Sequence, residues 1–326
     1  MVKYSVIVPA YNAGKTIADC LHALGSQSVA AADYEVIVVD DGSQDNTAAL
    51  VKTFPVQYLH QKNRGPAAAR NHGAQQAIGE IILFTDADCV PTPAWVAEMT
   101  KPFADPEVIA VKGAYRTSQR SFVARFAQVE FEERFELLKR APSIDMIDTY
   151  SAAYRREVFQ QVGGFDESFP VANNEDTELS YKLSRMGRKM IFNPDAVVYH
   201  LNHPDSLKRY GRLKFWRGYW RMVVYRKYPE KMMKDSYTPQ TLKLQILFLF
   251  LFATCLLGMF IWPHGMVYPL AALCLCLGLS MAPFLVLALK RDLVIGLLSP
   301  FYLSLRAAAL GMGFIWGVLH REKGRA

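Results

Sequence analysis

From Leu244 to Leu289 the chain contains no Asp, Glu, Lys or Arg. About 20 apolar residues cross a bilayer, so this run holds two crossings, 244–262 and 266–289, turned at Trp262-Pro263-His264-Gly265. Two such helices are hard to hide inside a chain of 326 residues. A third apolar stretch, 293–319, is interrupted by Pro300 and Arg306. Its two halves are each too short to cross, and an Arg at the bilayer centre costs roughly 2.5–3.5 kcal/mol. The expectation is a re-entrant or interfacial helical pair broken at Pro300, with a cytoplasmic C-terminus. The alternative is a third crossing with Arg306 facing protein.

Charge divides the rest. Residues 1–200 hold 20 Lys and Arg against 25 Asp and Glu, residues 201–240 hold 10 against 3, and residues 241–326 hold 7 against 2. An acidic body (1–205), a basic belt (206–240) and an apolar tail (241–326) describe a domain docked on a membrane. The belt carries Lys208, Arg209, Arg212, Lys214, Arg217, Arg221, Arg226 and Lys227 among Tyr210, Phe215, Trp216, Tyr219 and Trp220. As a helix it reads as a surface element against anionic lipid. A basic aromatic patch also suits nucleic acid, but the adjoining apolar segment makes lipid the partner and excludes nucleic acid. The positive-inside rule keeps the belt and the body cytoplasmic, at the inner membrane. Five Cys form no disulfide framework, Cys274-x-Cys276 lies among leucines, and Met1-Val2-Lys3 leads straight into a strand rather than a signal peptide.

The first half alternates short β-branched runs with helical stretches. Strands are expected at Tyr4–Val8, Glu35–Val39, Val56–His60 and Ile81–Thr85, and helices at Lys15–Leu24, Thr47–Thr53 and Pro66–Ile78. That alternation predicts an α/β fold with a mostly parallel sheet covered on both faces. Further on, Phe122–Lys139 and Glu175–Met186 read as helices and Ala196–Tyr199 as a strand ending at His200. The run Glu130, Glu132, Glu133, Glu136 reads as a solvated helix face. Polar clusters stand at three strand ends: Pro9–Asn12, Asp40–Ser43 and Asp86–Asp88. Parallel sheets bind ligands at carboxyl ends.

No phosphate loop and no G-x-G-x-x-G follows the first strand. Asp86-Ala87-Asp88 suits a hard divalent cation with open positions for phosphate, although such a pair is also ordinary turn chemistry. Asp40-Asp41-Gly42-Ser43 can cap a helix, and Asn174-Glu175-Asp176 can serve a helix N-terminus. Their order and spacing together carry more than any one of them.

With Ser5–Asn12, Val38–Asp45, Asn63-Arg64-Gly65, Ala68–Asn71, Thr85–Asp88, Gly163–Glu167, Asn174–Asp176 and His200, the first 200 residues resemble the family 2 glycosyltransferases. The resemblance implies a GT-A nucleotide-sugar-binding fold. It implies that Pro9, Ala10, Tyr11 and one of Asp40 and Asp41 hold the nucleoside, and that Arg70 contacts base or diphosphate. Asp86 and Ala87 would lie at the donor, Asp86 facing ribose or metal. Asp88 and His200 would hold Mn²⁺ or Mg²⁺, Asp176 would be the catalytic base, and Glu175 and Arg217 would support. The chemistry independently fits those residue types. A leaving diphosphate gains charge that a cation stabilises. An attacking hydroxyl needs a carboxylate to take its proton, and one displacement inverts the anomeric centre.

The expected donor is a nucleotide-diphospho-sugar, with UDP favoured. Two acceptors compete: a polyprenyl phosphate, already ionised and needing no base, and a hydroxyl on a lipid-linked acceptor. Asn174-Glu175-Asp176 tilts the reading to the hydroxyl. Processive synthases carry Q-x-x-R-W, from which Leu213–Gly218 departs, so transfer of a single sugar is expected. A catalytically silent membrane scaffold is the alternative of another class, and the intact acidic positions oppose it.

Overall fold

A computed structural model of the chain describes residues 2–169 and 173–320. Eight strands, β1 (Tyr4–Ala10), β2 (Tyr34–Asp40), β3 (Gln57–His60), β4 (Ile81–Phe84), β5 (Cys89–Pro91), β6 (Val108–Arg116), β7 (Ala152–Arg155) and β8 (Lys189–His200), form one sheet. Its order is β3-β2-β1-β4-β7-β6-β8-β5. The sheet is flanked by α1 (Ile17–Leu24), α2 (Thr47–Val51), α3 (Pro66–Gln76), α4 (Trp95–Thr100), α5 (Phe122–Leu138), α6 (Arg156–Gln161) and α7 (Glu175–Ser184). Then follow α8 (Leu207–Lys227), α9 (Pro229–Met233), α10 (Gln240–Gly258), α11 (Pro263–Arg291) and α12 (Leu293–Leu319).

The parallel expectation holds for β1 to β4, which pair only in parallel with one another, and for β6 with β8. It fails at β7 and β5, which run antiparallel to their neighbours. The reversal matters for the site. Strands β1, β2, β4, β6 and β8 all end on one rim, while β5 and β7 begin there. Val6, Ile7, Val8, Ile37, Val38, Val39, Ile82 and Leu83 are fully buried, as a sheet covered on both faces requires.

A second core joins this body to the apolar helices. Phe126 of α5 stacks on Tyr302 of α12 with centroids 4.7 Å apart and packs against Phe284 of α11. Asp292 caps α12 by accepting from the Ile295 amide, and Arg125 of α5 donates to both its carboxylate oxygens at 2.8 and 2.7 Å. α12 runs unbroken from Leu293 to Leu319, so the break expected at Pro300 is absent. Ser304 and Arg306 lie just past Pro300; Ser304 donates to the carbonyl of Pro300 itself. α10, α11 and α12 are each long and apolar enough to cross a membrane. The end of the chain, with Arg321, Lys323 and Arg325, lies outside the described residues.

The acidic run on α5 is not a solvated face. Glu130 is fully buried. It accepts from Tyr210 at 2.8 Å, from Lys214 at 3.0 Å and from Arg306 at 3.2 Å. Arg306, also buried, donates to Gln245 of α10 at 2.9 Å, and Gln245 donates to the Ser280 carbonyl of α11 at 3.0 Å. The cations, Lys214 and Arg306 foremost, hold the Glu130 carboxyl well below its usual range against the opposing effect of burial. Arg306 thus faces protein.

The belt also packs against protein. α8 is capped by Ser206 and lies parallel to α12 rather than lying free on a surface. Glycines close the seam. A Cβ on Gly218 would stand 2.2 Å from the Leu310 carbonyl oxygen, and one on Gly313 would stand 1.9 Å from that of Phe215. Further along, Arg226 donates to the Gly317 carbonyl at 2.6 Å. Lys214 therefore points into protein, while Lys208, Arg212, Arg226 and Lys227 remain exposed. Replacing Glu130 with Ala leaves two buried cations short of their anion. It is expected to cost about 3–5 kcal/mol, read as a lowered unfolding temperature in detergent micelles. A shift of less than 2 °C would contradict this reading of the cluster.

Candidate active site

Every candidate residue from β1, β2, β4 and β8 sits on the common rim. At the β1 end, Asn12 takes a left-handed conformation, φ 49°, in which Asn tolerates the strain better than most residues. Its amide donates to Ser43 Oγ at 2.9 Å and its Oδ1 accepts from the Gln44 amide at 2.8 Å. The loops after β1 and β2 are thereby laced together, Ala10 is buried, Pro9 half-buried and Tyr11 52% exposed. Asp40 and Asp41 are buried and already bonded. Asp40 accepts from the Ser43 amide and Tyr58 hydroxyl, both at 2.8 Å. Asp41 accepts from Gln61 at 2.7 Å and from the Arg64 and Gly65 amides at 2.9 Å. The pair shapes the rim, and each carboxylate keeps acceptor capacity in reserve.

Arg70, from α3, is 2% exposed. One terminal nitrogen donates to Glu175 at 2.9 Å and the other to Asp86 at 2.8 Å. Both are spent on protein carboxylates rather than left open toward base or diphosphate. Arg70 so fixes the start of α7 against the end of β4. Glu175 is 2% exposed and its other oxygen accepts from the Asn173 amide at 2.7 Å.

The antiparallel register pairs Cys89 with His200. This brings a histidine from the end of β8 beside Asp88, their Nε2 and Oδ1 3.8 Å apart. The Leu201 amide donates to the Asp88 carbonyl at 2.8 Å. Asp88, Cys89 and His200 offer ligand atoms within 4.8 Å of one another. Cys89 is fully buried and its thiol is pushed well up by that burial, so it does not supply the thiolate a metal needs. The carboxylate and imidazole remain, a donor pair suited to Mn²⁺ or Mg²⁺ with phosphate oxygens completing the shell.

A cavity of about 530 Å³ lies over this rim, lined by Asp86, Asp88, Asp176, His200, Arg212, Trp216 and Arg217 among others. Arg70 and Glu175 form part of its wall. Asp176 is in the first turn of α7 and accepts from the Thr177 amide at 2.7 Å. Burial first, then the charges of Glu175 and Asp148, push its carboxyl up to about 7. A proton acceptor poised near neutrality is what general-base work asks for.

Asp148 lines the same cavity, and no motif in the sequence marks it. It stands one short turn, Thr149–Ser151, ahead of β7, and the antiparallel course of that strand delivers it to the rim. It pairs with Lys112 of β6, a lysine buried among strand residues, and accepts from the Tyr237 hydroxyl at 3.2 Å. His203 also belongs here: it bonds Tyr115 at 2.9 Å, and burial with the nearby His200 lowers it to about 3, so it is neutral.

Residues 5–163 match Glycosyl transferase family 2. The chain is 27% identical over 217 residues to Glycosyltransferase AglE of Haloferax volcanii, covering 64% of this chain and 71% of that one. It is 29% identical over 227 residues to Validoxylamine A glucosyltransferase of Streptomyces hygroscopicus, covering 59% and 54%. Among solved structures, the mannosyltransferase PcManGT from Pyrobaculum calidifontis, in complex with GDP-Man and Mn²⁺, superposes with a TM-score of 0.63 at 22% identity. That match covers 98% of this chain and 88% of the other. The chain carries a family 2 glycosyltransferase domain on a GT-A fold, followed by apolar helices long enough to cross a membrane.

Proposed function

We propose that the protein is an inverting, metal-dependent glycosyltransferase. It moves one sugar from a nucleotide-diphospho-sugar, with UDP the base to test first, to a hydroxyl of a lipid-linked acceptor in cell-envelope glycan or glycolipid synthesis. The observation that carries this reading is Asp176: a carboxyl raised to about 7 stands in the same cavity as Asp86, Asp88 and His200. The acceptor oxygen attacks the anomeric carbon, its proton passes to Asp176, and the bond to the diphosphate breaks with its electron pair leaving on the diphosphate oxygen. Asp88 and His200, with Asp86 beside them, would hold Mn²⁺ or Mg²⁺, which neutralises the leaving diphosphate when bound. The GDP-Man and Mn²⁺ in the similar solved structure support a nucleotide-sugar and a divalent cation. A phosphate acceptor fits less well, because Asp148, Glu175 and Asp176 gather negative charge where its nucleophile would stand.

In this reading the body faces the cytoplasm at the inner membrane, and α10 and α11 cross. α12 lies at the interface beside α8. The two helices run together past Gly218 and Gly313, so a crossing α12 would draw Arg226 and Lys227 into hydrocarbon.

Asp176→Asn is expected to keep metal-linked donor binding and to lower transfer at least about 100-fold. Transfer within threefold of wild type would remove the base assignment. In the wild type, kcat/KM should fall about tenfold per unit below pH 7 and level above it, because the base must be unprotonated. A profile flat from pH 5 to 8 would contradict that. Asp88→Ala should abolish the Mn²⁺ dependence of UDP binding in calorimetry; an unchanged metal-linked affinity would refute the ligand assignment. A reporter fused after residue 326 should be active on the cytoplasmic side, and activity on the opposite side would establish a third crossing.

A further inference from the structure

A second cavity, of about 490 Å³, opens beside the first and shares Asp148, Asn173, Asp176 and Arg217 with it. Its far walls are of another kind. Ile246, Leu247 and Phe250 of α10 stand with Leu310, Phe314 and Ile315 of α12. Leu247 and Ile315 are 52% and 44% exposed, so the trench is open between two of the helices that suit a bilayer. At Gly311 a Cβ would come within 2.4 Å of the Phe250 ring, which marks where the two helices meet.

Arg217 of α8 stands where the polar and apolar cavities join. Its guanidinium makes no hydrogen bond or ion pair with any described residue. Lys214, the neighbouring cation one turn earlier, is spent on Glu130. Asp148 feels the Arg217 charge but is already bonded by Lys112 and Tyr237. A guanidinium with no bonded anion of its own keeps its N–H donors for a ligand. The guanidinium fork matches a phosphate in charge and shape.

We propose that the trench holds the hydrocarbon chain of the acceptor, and that Arg217 binds the phosphate through which that lipid carries its sugar. The acceptor is then a long-chain lipid phosphate ester: chain between α10 and α12, phosphate at the junction, sugar hydroxyl toward Asp176. This rests on the glycosyl-transfer reading above and adds to it the chemical class of the acceptor. Continuity with the catalytic cavity supports the assignment, as does the apolar lining that α10 and α12 give its far end.

The test uses the full-length protein in lipid nanodiscs with EDTA, so that no metal-borne diphosphate site contributes. Binding of farnesyl phosphate, farnesol and inorganic phosphate is measured by displacement of a fluorescent farnesyl phosphate, with empty nanodiscs subtracted. Wild type should prefer farnesyl phosphate to farnesol by about tenfold, the worth of a hydrogen bond to a charged group, and bind inorganic phosphate more weakly than either lipid. Arg217→Gln should erase the preference without changing farnesol affinity, and Arg217→Lys should restore part of it. Leu247→Trp, at an exposed position that the fold tolerates, should weaken both lipids and leave inorganic phosphate as it was. Equal affinities for farnesyl phosphate and farnesol in the wild type would overturn the proposal, as would an Arg217→Gln variant that keeps the preference. Inorganic phosphate binding as tightly as the lipid would reduce the site to a free-anion site and overturn the trench. In the same nanodiscs with Mn²⁺ in place of EDTA, metal-dependent release of nucleoside diphosphate from a nucleotide sugar reports on the transfer reading separately. Lipid binding as described without that release supports the trench and counts against the metal-dependent transfer proposed above.

Discussion

Three helices and a catalytic body are held to one geometry by a single buried carboxylate. Glu130 collects Tyr210 and Lys214 from α8 and Arg306 from α12, and Arg306 passes the connection to α10 through Gln245. Buried ion pairs add little net stability compared with apolar packing. They are, however, intolerant of misalignment, because a displaced partner leaves a charge uncompensated. The cluster therefore fixes register more than it supplies stability. The aromatic packing of Phe126 on Tyr302 and Phe284 supplies the apolar burial around it.

The site uses the opposite strategy. At the rim like charges are brought together: Asp148, Glu175 and Asp176 lie around one cavity. Arg70 relieves two of the carboxylates nearby, Glu175 and Asp86, and Lys112 relieves Asp148. Asp176 has no such cation bonded to it, and burial first, then the charges of Glu175 and Asp148, raise the proton affinity of its carboxyl. Whether a carboxylate is structural or reactive here is decided by which of them receives an arginine or lysine.

How far the sequence discloses all this follows from the range of the forces involved. The strands β1 to β4 are legible because each is a short apolar run ended by turn residues, and parallel pairing needs nothing else. Strand β5 has only three residues, and β6 is interrupted in its interior by Lys112 and Gly113, so neither reads as one continuous strand. Asp86, Asp88, Asp176 and His200 are recognisable because their spacing is distinctive, yet nothing in the spacing says that β5 must turn back to bring His200 beside Asp88. Asp148 has no motif at all. Glu130 reads as solvated because helical surfaces usually carry such runs. Its burial becomes visible only with Arg306, 176 residues away.

The glycine seam between α8 and α12 has a mechanical consequence. Where backbones touch at Gly218 and Gly313 there is no layer of side chains to slide or tilt upon. Rocking of α8 against α12 would have to break that contact, so the wall that α8 gives the catalytic cavity, Trp216 and Arg217, moves with the apolar helices. For the lipid-linked acceptor proposed above, the seam acts as a ruler: it sets how far from the lipid chain the reactive hydroxyl must stand.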